Sequence, residues 1–276
     1  MGQRIILLTG ASSGIGEAVA RLLVQQGDFP LLVSRRKDRL IALQRELGGA
    51  DAFPCDVTSD AQVHQLMKNV IARYGRVDVL INNAGYGRFG GALDISMADF
   101  TGMAETNYLG AVRLTQAVLP YMLQREKGTI INVASVAGLT GIPNLSAYSA
   151  SKFALIGFSE ALKMEYAPPI EVGVLCPGPV QSPFFRGVDA SRLFPPLIVG
   201  HMLDVETTAR HVLQLIDRPT LSIVPSGMRW AMRLRRLAPG IYFRIMKRLY
   251  DSFEEKQHAY TDMKCNGRAG MGRHNG

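Results

Sequence analysis

The stretch that decides the fold is Ile5-Ile6-Leu7-Leu8-Thr9-Gly10-Ala11-Ser12-Ser13-Gly14-Ile15-Gly16. Its first four residues are apolar with no polar alternation, the pattern of a strand covered on both faces. A helical period follows at once over residues 14 to 27. The turn between them holds Gly10, Ser12, Ser13, Gly14, Ile15 and Gly16. Glycine lets the backbone turn tightly and come close to a pyrophosphate, and the helix that starts there offers unpaired N–H groups to phosphate oxygens. Any strand-to-helix loop can also use such a turn, so both readings stay open on this stretch alone.

Working outward, short apolar runs keep alternating with longer segments of helical period. The runs predict strands near residues 4–9, 29–34, 51–55, 78–82, 129–134, 171–176 and 221–224, and helices near 14–27, 37–47, 59–74, 97–125, 146–167 and 205–217. Gly27 and Gly75 stand where chains leave a helix in the left-handed conformation. The expected fold class is α/β: a Rossmann-type doubly wound parallel sheet of about seven strands with helices on both faces. One such domain is expected over residues 1–224, with a basic helical extension over 225–276 beginning at the compositional break near Pro225.

A chain of 276 residues buries about three quarters of its unfolded surface and needs no disulfide or metal to hold a core. Cys55, Cys176 and Cys265 are far apart and belong to no CxxC or Cys/His cluster, so neither a zinc site nor a disulfide framework is expected and a reducing cytosol fits. The start is too short in apolar length for a signal segment, and no run approaches the roughly 18 apolar residues of a spanning helix. A cytoplasmic protein, soluble or held peripherally at the inner face of a membrane, is the expectation. The net charge of +8 sits in the tail: residues 1–224 hold 20 Lys/Arg against 19 Asp/Glu, and residues 225–276 hold 11 against 4. Nucleic acid is therefore not an expected partner of the whole chain.

Further along, Asn82, Asn83, Ala84 and Gly85 close the fourth strand, Asn107 lies in a long helical segment, and Ser135 follows the fifth strand. Tyr148 and Lys152 are four apart on a predicted helix and so share one face. An ammonium near a phenol favours the phenolate and is expected to draw Tyr148 below its ordinary value. Here the sequence resembles the short-chain dehydrogenase/reductase family, in the branch with a TGxxxGxG loop and a YxxxK motif, from residue 4 to about 224. The resemblance implies an oxidoreductase that moves a hydride between a nicotinamide and a carbonyl or alcohol carbon, with no metal. Tyr148 would be the acid/base and Ser135 would hold the reacting oxygen. Lys152 would also bind the nicotinamide ribose, and Asn107 would position a water. Singly each of these residues has a structural explanation, and a helical Asn can simply bridge backbone groups. His64, His201 and His211 match no role and read as surface or packing residues.

Cofactor choice lies at the end of the second strand, where Ser34, Arg35 and Arg36 stand and no carboxylate does. Guanidinium groups clamp phosphate in bidentate fashion, which favours NADP (NADPH) over NAD. The alternative is a solvated basic pair at a helix entry. By resemblance, Asp56 and Val57 contact the adenine and Asn83, Ala84 and Gly85 line the cofactor site; Asp56 could also just cap the next helix. After the sixth strand come Pro177, Gly178, Pro179, Val180, Gln181 and Ser182, with Ser182 where the family's PGxxxT has Thr.

The segment after that motif is a lid in the family, and here it contains Pro183, Phe184, Phe185, then Leu193, Phe194, Pro195, Pro196, Leu197, Ile198 and Val199. It suits an apolar carbonyl or alcohol substrate, or else packing on a neighbouring subunit. Ala150, Ala154, Gly157 and Ala161 place small side chains along one face of the Tyr148 helix, and the resemblance puts that helix in a homo-dimer or homo-tetramer interface. In the tail, Ile241, Tyr242, Ile245, Met246, Leu249 and Tyr250 fall on one helical face against Arg244, Lys247 and Arg248. Before Pro239-Gly240, Trp230, Ala231, Leu234, Leu237 and Ala238 oppose Arg229, Arg233 and Arg236. Two basic amphipathic segments predict either peripheral membrane contact or a role across the substrate mouth or an interface. A non-catalytic NADP-binding sensor or interaction protein is the competing function, but it has no need for the Ser, Tyr, Lys set.

Overall fold

The computed structural model describes residues 2–182, 184 and 193–253. In chain order they form β1 (Ile5–Thr9), α1 (Gly14–Gln25), β2 (Phe29–Ser34), α2 (Lys37–Leu47), β3 (Asp51–Pro54), α3 (Asp60–Tyr74), β4 (Val79–Asn82) and α4 (Met97–Ala104). Then come α5 (Gly110–Gln124), β5 (Gly128–Val133), α6 (Ser146–Tyr166), β6 (Ile170–Pro177), α7 (Pro196–Val199), α8 (Val205–Asp217), β7 (Leu221–Val224) and α9 (Gly227–Leu237). Residues 239–253 are helical as well.

The strands make one parallel sheet in the order β3-β2-β1-β4-β5-β6-β7. Alternate residues of β1 enter opposite cores. Ile6 and Leu8 join Val19, Ala20 and Leu23 of α1 and Val212 and Ile216 of α8. Ile5 and Leu7 join Leu66 and Val70 of α3 and Leu114 and Val118 of α5. Each fully buried Leu or Ile contributes about 1.5–3 kcal/mol, which is why the strands carry no polar alternation.

The chain crosses from one edge of the sheet to its centre between β3 and β4, so β1 and β4 are neighbours whose loops part in opposite directions. A crevice opens at their carboxyl ends, the place where ligands bind in such sheets. Thr9 holds the two ends together: its Oγ1 accepts from the backbone N–H groups of Asn83 and Ala84, both at 3.0 Å.

The single helix expected over 97–125 is in fact two, separated by a π-helical turn at Glu105–Leu109. Hydrophobic periodicity cannot register one extra residue in a turn, and such turns recur at functional sites. The helix ends behave as read: Gly75 caps α3 with φ of 71°, and Gly27, just past α1, has φ of 84°.

Candidate active site

The glycine turn is built by close approach. A Cβ on Gly16 would lie 2.3 Å from the Gly10 carbonyl oxygen, and one on Gly10 would lie 2.8 Å from Asn83 Nδ2. Helix α1 can sit this tightly only without side chains there. Its N-cap residue Ser13 makes no side-chain capping bond, leaving the first-turn N–H groups facing the crevice. Asn83 donates to the Thr9 carbonyl at 3.0 Å, so it braces the turn while lining the cavity.

Beside the turn, Ser34 donates to Ser12 Oγ at 2.7 Å and Arg36 Nε donates to the same oxygen at 3.0 Å. Arg36 also donates to Ser13 Oγ. Burial, then repulsion from Arg39 and Arg35, lowers the Arg36 guanidinium from its ordinary value. Arg35 is 3.8 Å from Asp56. Asp56 does not cap α3; Ser59 does, while Asp56 Oδ1 accepts from Thr58 N and Oγ1. Gly10, Ser12, Ser13, Gly14, Ile15, Ser34, Arg35, Arg36, Asp56, Val57, Asn83, Ala84 and Gly85 all line one cavity of about 790 Å³. The residues fit a dinucleotide: a glycine cradle that a Cβ would fill, free helix N–H groups, and crowded cations.

The same cavity is lined by Ser135, Tyr148, Lys152, Pro177, Gly178, Val180 and Ser182. Ser135 caps the short 3₁₀ turn Val136–Gly138, accepting from Ala137 N at 3.1 Å, and hydrogen-bonds Tyr148. Lys152 donates to the Val133 carbonyl at 2.8 Å, and its ammonium is 5.8 Å from the centre of the Tyr148 ring. Burial pushes Tyr148 up to about 12, against the pull of its Ser135 hydrogen bond. Burial also presses Lys152 down to about 8. With Lys152 alone beside it and no nicotinamide charge, Tyr148 lies above rather than below its ordinary value, because removal from water penalises the phenolate.

Asn107 is 1% exposed and sits in the π turn. Its Oδ1 accepts from Tyr86 N at 2.9 Å, and its Nδ2 donates to Tyr86 O at 2.9 Å and Ser151 Oγ at 3.0 Å. The side chain therefore bridges the loop after β4 to α6 rather than pointing at the cavity. Gly85 makes room for this: a Cβ there would lie 3.0 Å from Asn107 Oδ1 and 3.5 Å from Lys152 Nζ.

The far wall of the cavity is apolar. Phe184 stands edge-on to Tyr148 with ring centres 5.4 Å apart, and Phe194, Leu197 and Ile198 line the same space. Pro183 and Phe185 lie outside the described residues. His201 belongs to this wall too, with Nδ1 2.8 Å from the Leu197 carbonyl, a placement no motif signalled.

The tail closes the cavity with part of the apolar faces its periodicity predicted, joined on α9 by Met228 and Met232. Met228, Ala231 and Met232 of α9 and Tyr242, Met246, Leu249 and Tyr250 of the 239–253 helix line it. Trp230, Leu234, Leu237, Ile241 and Ile245, from the same predicted apolar faces, are exposed. Helical period groups the apolar residues but cannot say which of them meet the sheet and which face outward. The small-residue face of α6 is open in this chain: a Cβ on Gly157 would meet nothing within 4 Å.

A parallel sheet with a phosphate-type glycine turn at its switch point, continuous with a buried Ser, Tyr, Lys set, defines a dinucleotide-dependent oxidoreductase. The sequence profile described as short chain dehydrogenase matches residues 4–192, and the chain belongs to the short-chain dehydrogenase/reductase family. It is 42% identical over 195 residues to a 3-ketodihydrosphingosine reductase of Bacteroides thetaiotaomicron, covering 70% of each chain. It is 33% identical over 261 residues to a dehydrogenase/reductase SDR family protein 7-like of Anopheles gambiae, covering 89% of this chain and 82% of that one. Among solved structures, an actinorhodin polyketide ketoreductase with NADPH matches with a TM-score of 0.75 at 32% identity, over 82% of this chain and 97% of the other. A short-chain dehydrogenase from Sphingobium yanoikuyae in complex with NADPH matches with a TM-score of 0.75 at 28% identity, over 86% and 94%. The chain is accordingly an oxidoreductase of the carbonyl/alcohol class.

Proposed function

We propose that this chain interconverts an apolar carbonyl compound and its alcohol with NADP(H), Tyr148 handling the proton. The observation that carries the reading is one continuous cavity with the glycine turn and Arg36 at one end and Ser135, Tyr148 and an apolar wall at the other. The dinucleotide, when bound, supplies or accepts the hydride. Tyr148 gives the proton at Oη to a carbonyl oxygen in reduction and takes one from the alcohol in oxidation. Ser135 Oγ holds the same oxygen. Lys152 would hold the nicotinamide ribose from the same wall of the cavity. Asn107 acts as a positioning residue, fixing the loop that carries Gly85 against α6.

The preference for NADP rests on crowding at Arg35, Arg36 and Arg39, which a ribose 2′-phosphate would relieve and a bare 2′-hydroxyl would not. In this reading residues 1–224 form the catalytic body, and the helices after Pro225 complete the substrate wall while offering their basic outer face to a membrane. The open face of α6 around Gly157 supports a homo-oligomer. The substrate class follows from the wall of Phe184, Phe194, Leu197, Met228 and Met246. A 3-keto reductase among the relatives agrees with it. The test is NADPH oxidation by the purified chain against ketones of graded chain length. Catalytic efficiency rising with apolar length is expected, at up to about 0.8 kcal/mol per buried CH₂; no turnover of any ketone or aldehyde would remove the reading.

A further inference from the structure

The two C-terminal helices have two apolar faces, and only one of them is used by the cavity. On the outside of α9, Trp230, Leu234 and Leu237 recur at helical spacing, and Ile241 and Ile245, one turn apart and also exposed, follow beyond the break at Ala238. Trp230 is 70% and Leu237 83% exposed, unusual for such residues in water. Around them stand Arg229, Arg233, Arg236, Arg244, Lys247 and Arg248, all exposed. Residues 225–253 hold seven Lys/Arg against the single acid Asp251. The Arg233 guanidinium lies 4.7 Å over the Trp230 ring, an amphipathic pair of the kind that sits at headgroup depth.

We infer that this outer face docks on an anionic lipid bilayer, so that one pair of helices touches lipid outside and walls the substrate cavity inside. Charge selects the occupant. A second copy of the same patch would bring like charge against like charge in a two-fold contact. Nucleic-acid phosphates would satisfy the arginines but leave the apolar knuckle in water. An anionic membrane surface satisfies both, through headgroups and acyl chains together. The substrate class this implies is a membrane-resident carbonyl lipid that reaches the cavity without crossing bulk water. That last step rests on the reductase reading given above; the docking does not.

Trp230 is the chain's sole tryptophan, so its emission reports this face without labelling. With the full chain and phosphatidylcholine vesicles containing phosphatidylserine, the emission is expected to shift to the blue, and the protein to sediment with the vesicles at low salt and leave them at high salt. Pure phosphatidylcholine should bind much less. The double variant Leu237→Glu/Ile241→Glu alters only exposed residues and is expected to lose at least about tenfold in vesicle affinity. Its NADPH binding and its turnover of a water-soluble ketone should match the parent. Absence of a shift with anionic vesicles at low salt overturns the inference. So does a lipid-free shift that grows with protein concentration, which would mark a self-association face, and so does unchanged binding by the double variant. Vesicle binding is read without turnover, so failure of the reductase reading and failure of docking are separate results.

Discussion

Lys152 lies one helical turn beyond Tyr148 on α6, yet its ammonium donates to the Val133 carbonyl at 2.8 Å and stays 5.8 Å from the centre of the Tyr148 ring. Both are buried, with Lys152 held down to about 8 from 10.5. Below about 8 the folded and unfolded chains both carry this proton and the burial penalty is fully felt. Between about 8 and 10.5 the folded chain has released it while the unfolded chain still holds it, so this group makes the cofactor-free protein more stable as pH rises. The buried thiols Cys55 and Cys176 are pushed up and act in the opposite sense. The difference in urea midpoint between the parent and Lys152→Met isolates the lysine: the parent should gain relative to the variant across that window. A difference independent of pH would show that Lys152 titrates normally.

Tyr148→Phe should leave NADPH affinity within a few fold and lower turnover by at least about 10²-fold, because only the proton at Oη is removed. Stopped-flow hydride transfer and fluorescence titration of NADPH separate the two quantities. Turnover near that of the parent would assign the proton to another group.

Arg36→Ala and Arg35→Asp should each weaken NADPH far more than NADH. Arg36 is the side chain already laid across Ser12 and Ser13, and Arg35→Asp adds a charge of the wrong sign. Loss of one charge-assisted clamp is worth about 1.5–3 kcal/mol, roughly 10- to 150-fold in Kd. Equal losses for both dinucleotides would show that the arginines do not read the 2′ position.

Gly16→Ala should destabilise the fold by about 1–3 kcal/mol, since a Cβ 2.3 Å from a backbone oxygen cannot be relieved by a rotamer change. Gly157→Ala, with nothing within 4 Å in a single chain, should be neutral or slightly stabilising to that chain. Thermal unfolding of the two variants side by side checks the contrast. If Gly157→Ala instead weakens self-association, the α6 face is a subunit contact.

Ala231→Phe, on the inner face of α9, should cut turnover of long ketones while sparing short ones and leaving NADPH binding intact. The ratio of kcat/KM for long and short substrates is the readout. An unchanged ratio would take α9 out of the substrate wall.

Much of this protein is decided locally. Four unbroken apolar residues before Gly10 specify a strand buried on both faces, Gly16 specifies close helix packing, and Gly75 specifies a helix end; each depends on backbone geometry that neighbours in sequence control. The fourfold spacing of Tyr148 and Lys152 likewise places both on one face of α6 wherever that helix goes. Other properties exist only after β1 and β4 become neighbours and the tail folds back. Periodicity could not show that Asn107 sits in a π turn with its amide closed on Tyr86 and Ser151. Spacing could not show that Asn83 braces the glycine turn, or that Asn82, Asn132 and Ser159 form a buried hydrogen-bonded chain across β4, β5 and α6. Nor could it show that Met228 and Met232 of α9 meet the cavity while Trp230 and Leu237 face outward. Trp230, Leu237 and Ile241 are as apolar as Met232 and Met246, and helix propensity treats both faces alike. Burial distinguishes them, and burial is a property of what lies opposite a side chain, which only the assembled sheet and its crevice supply.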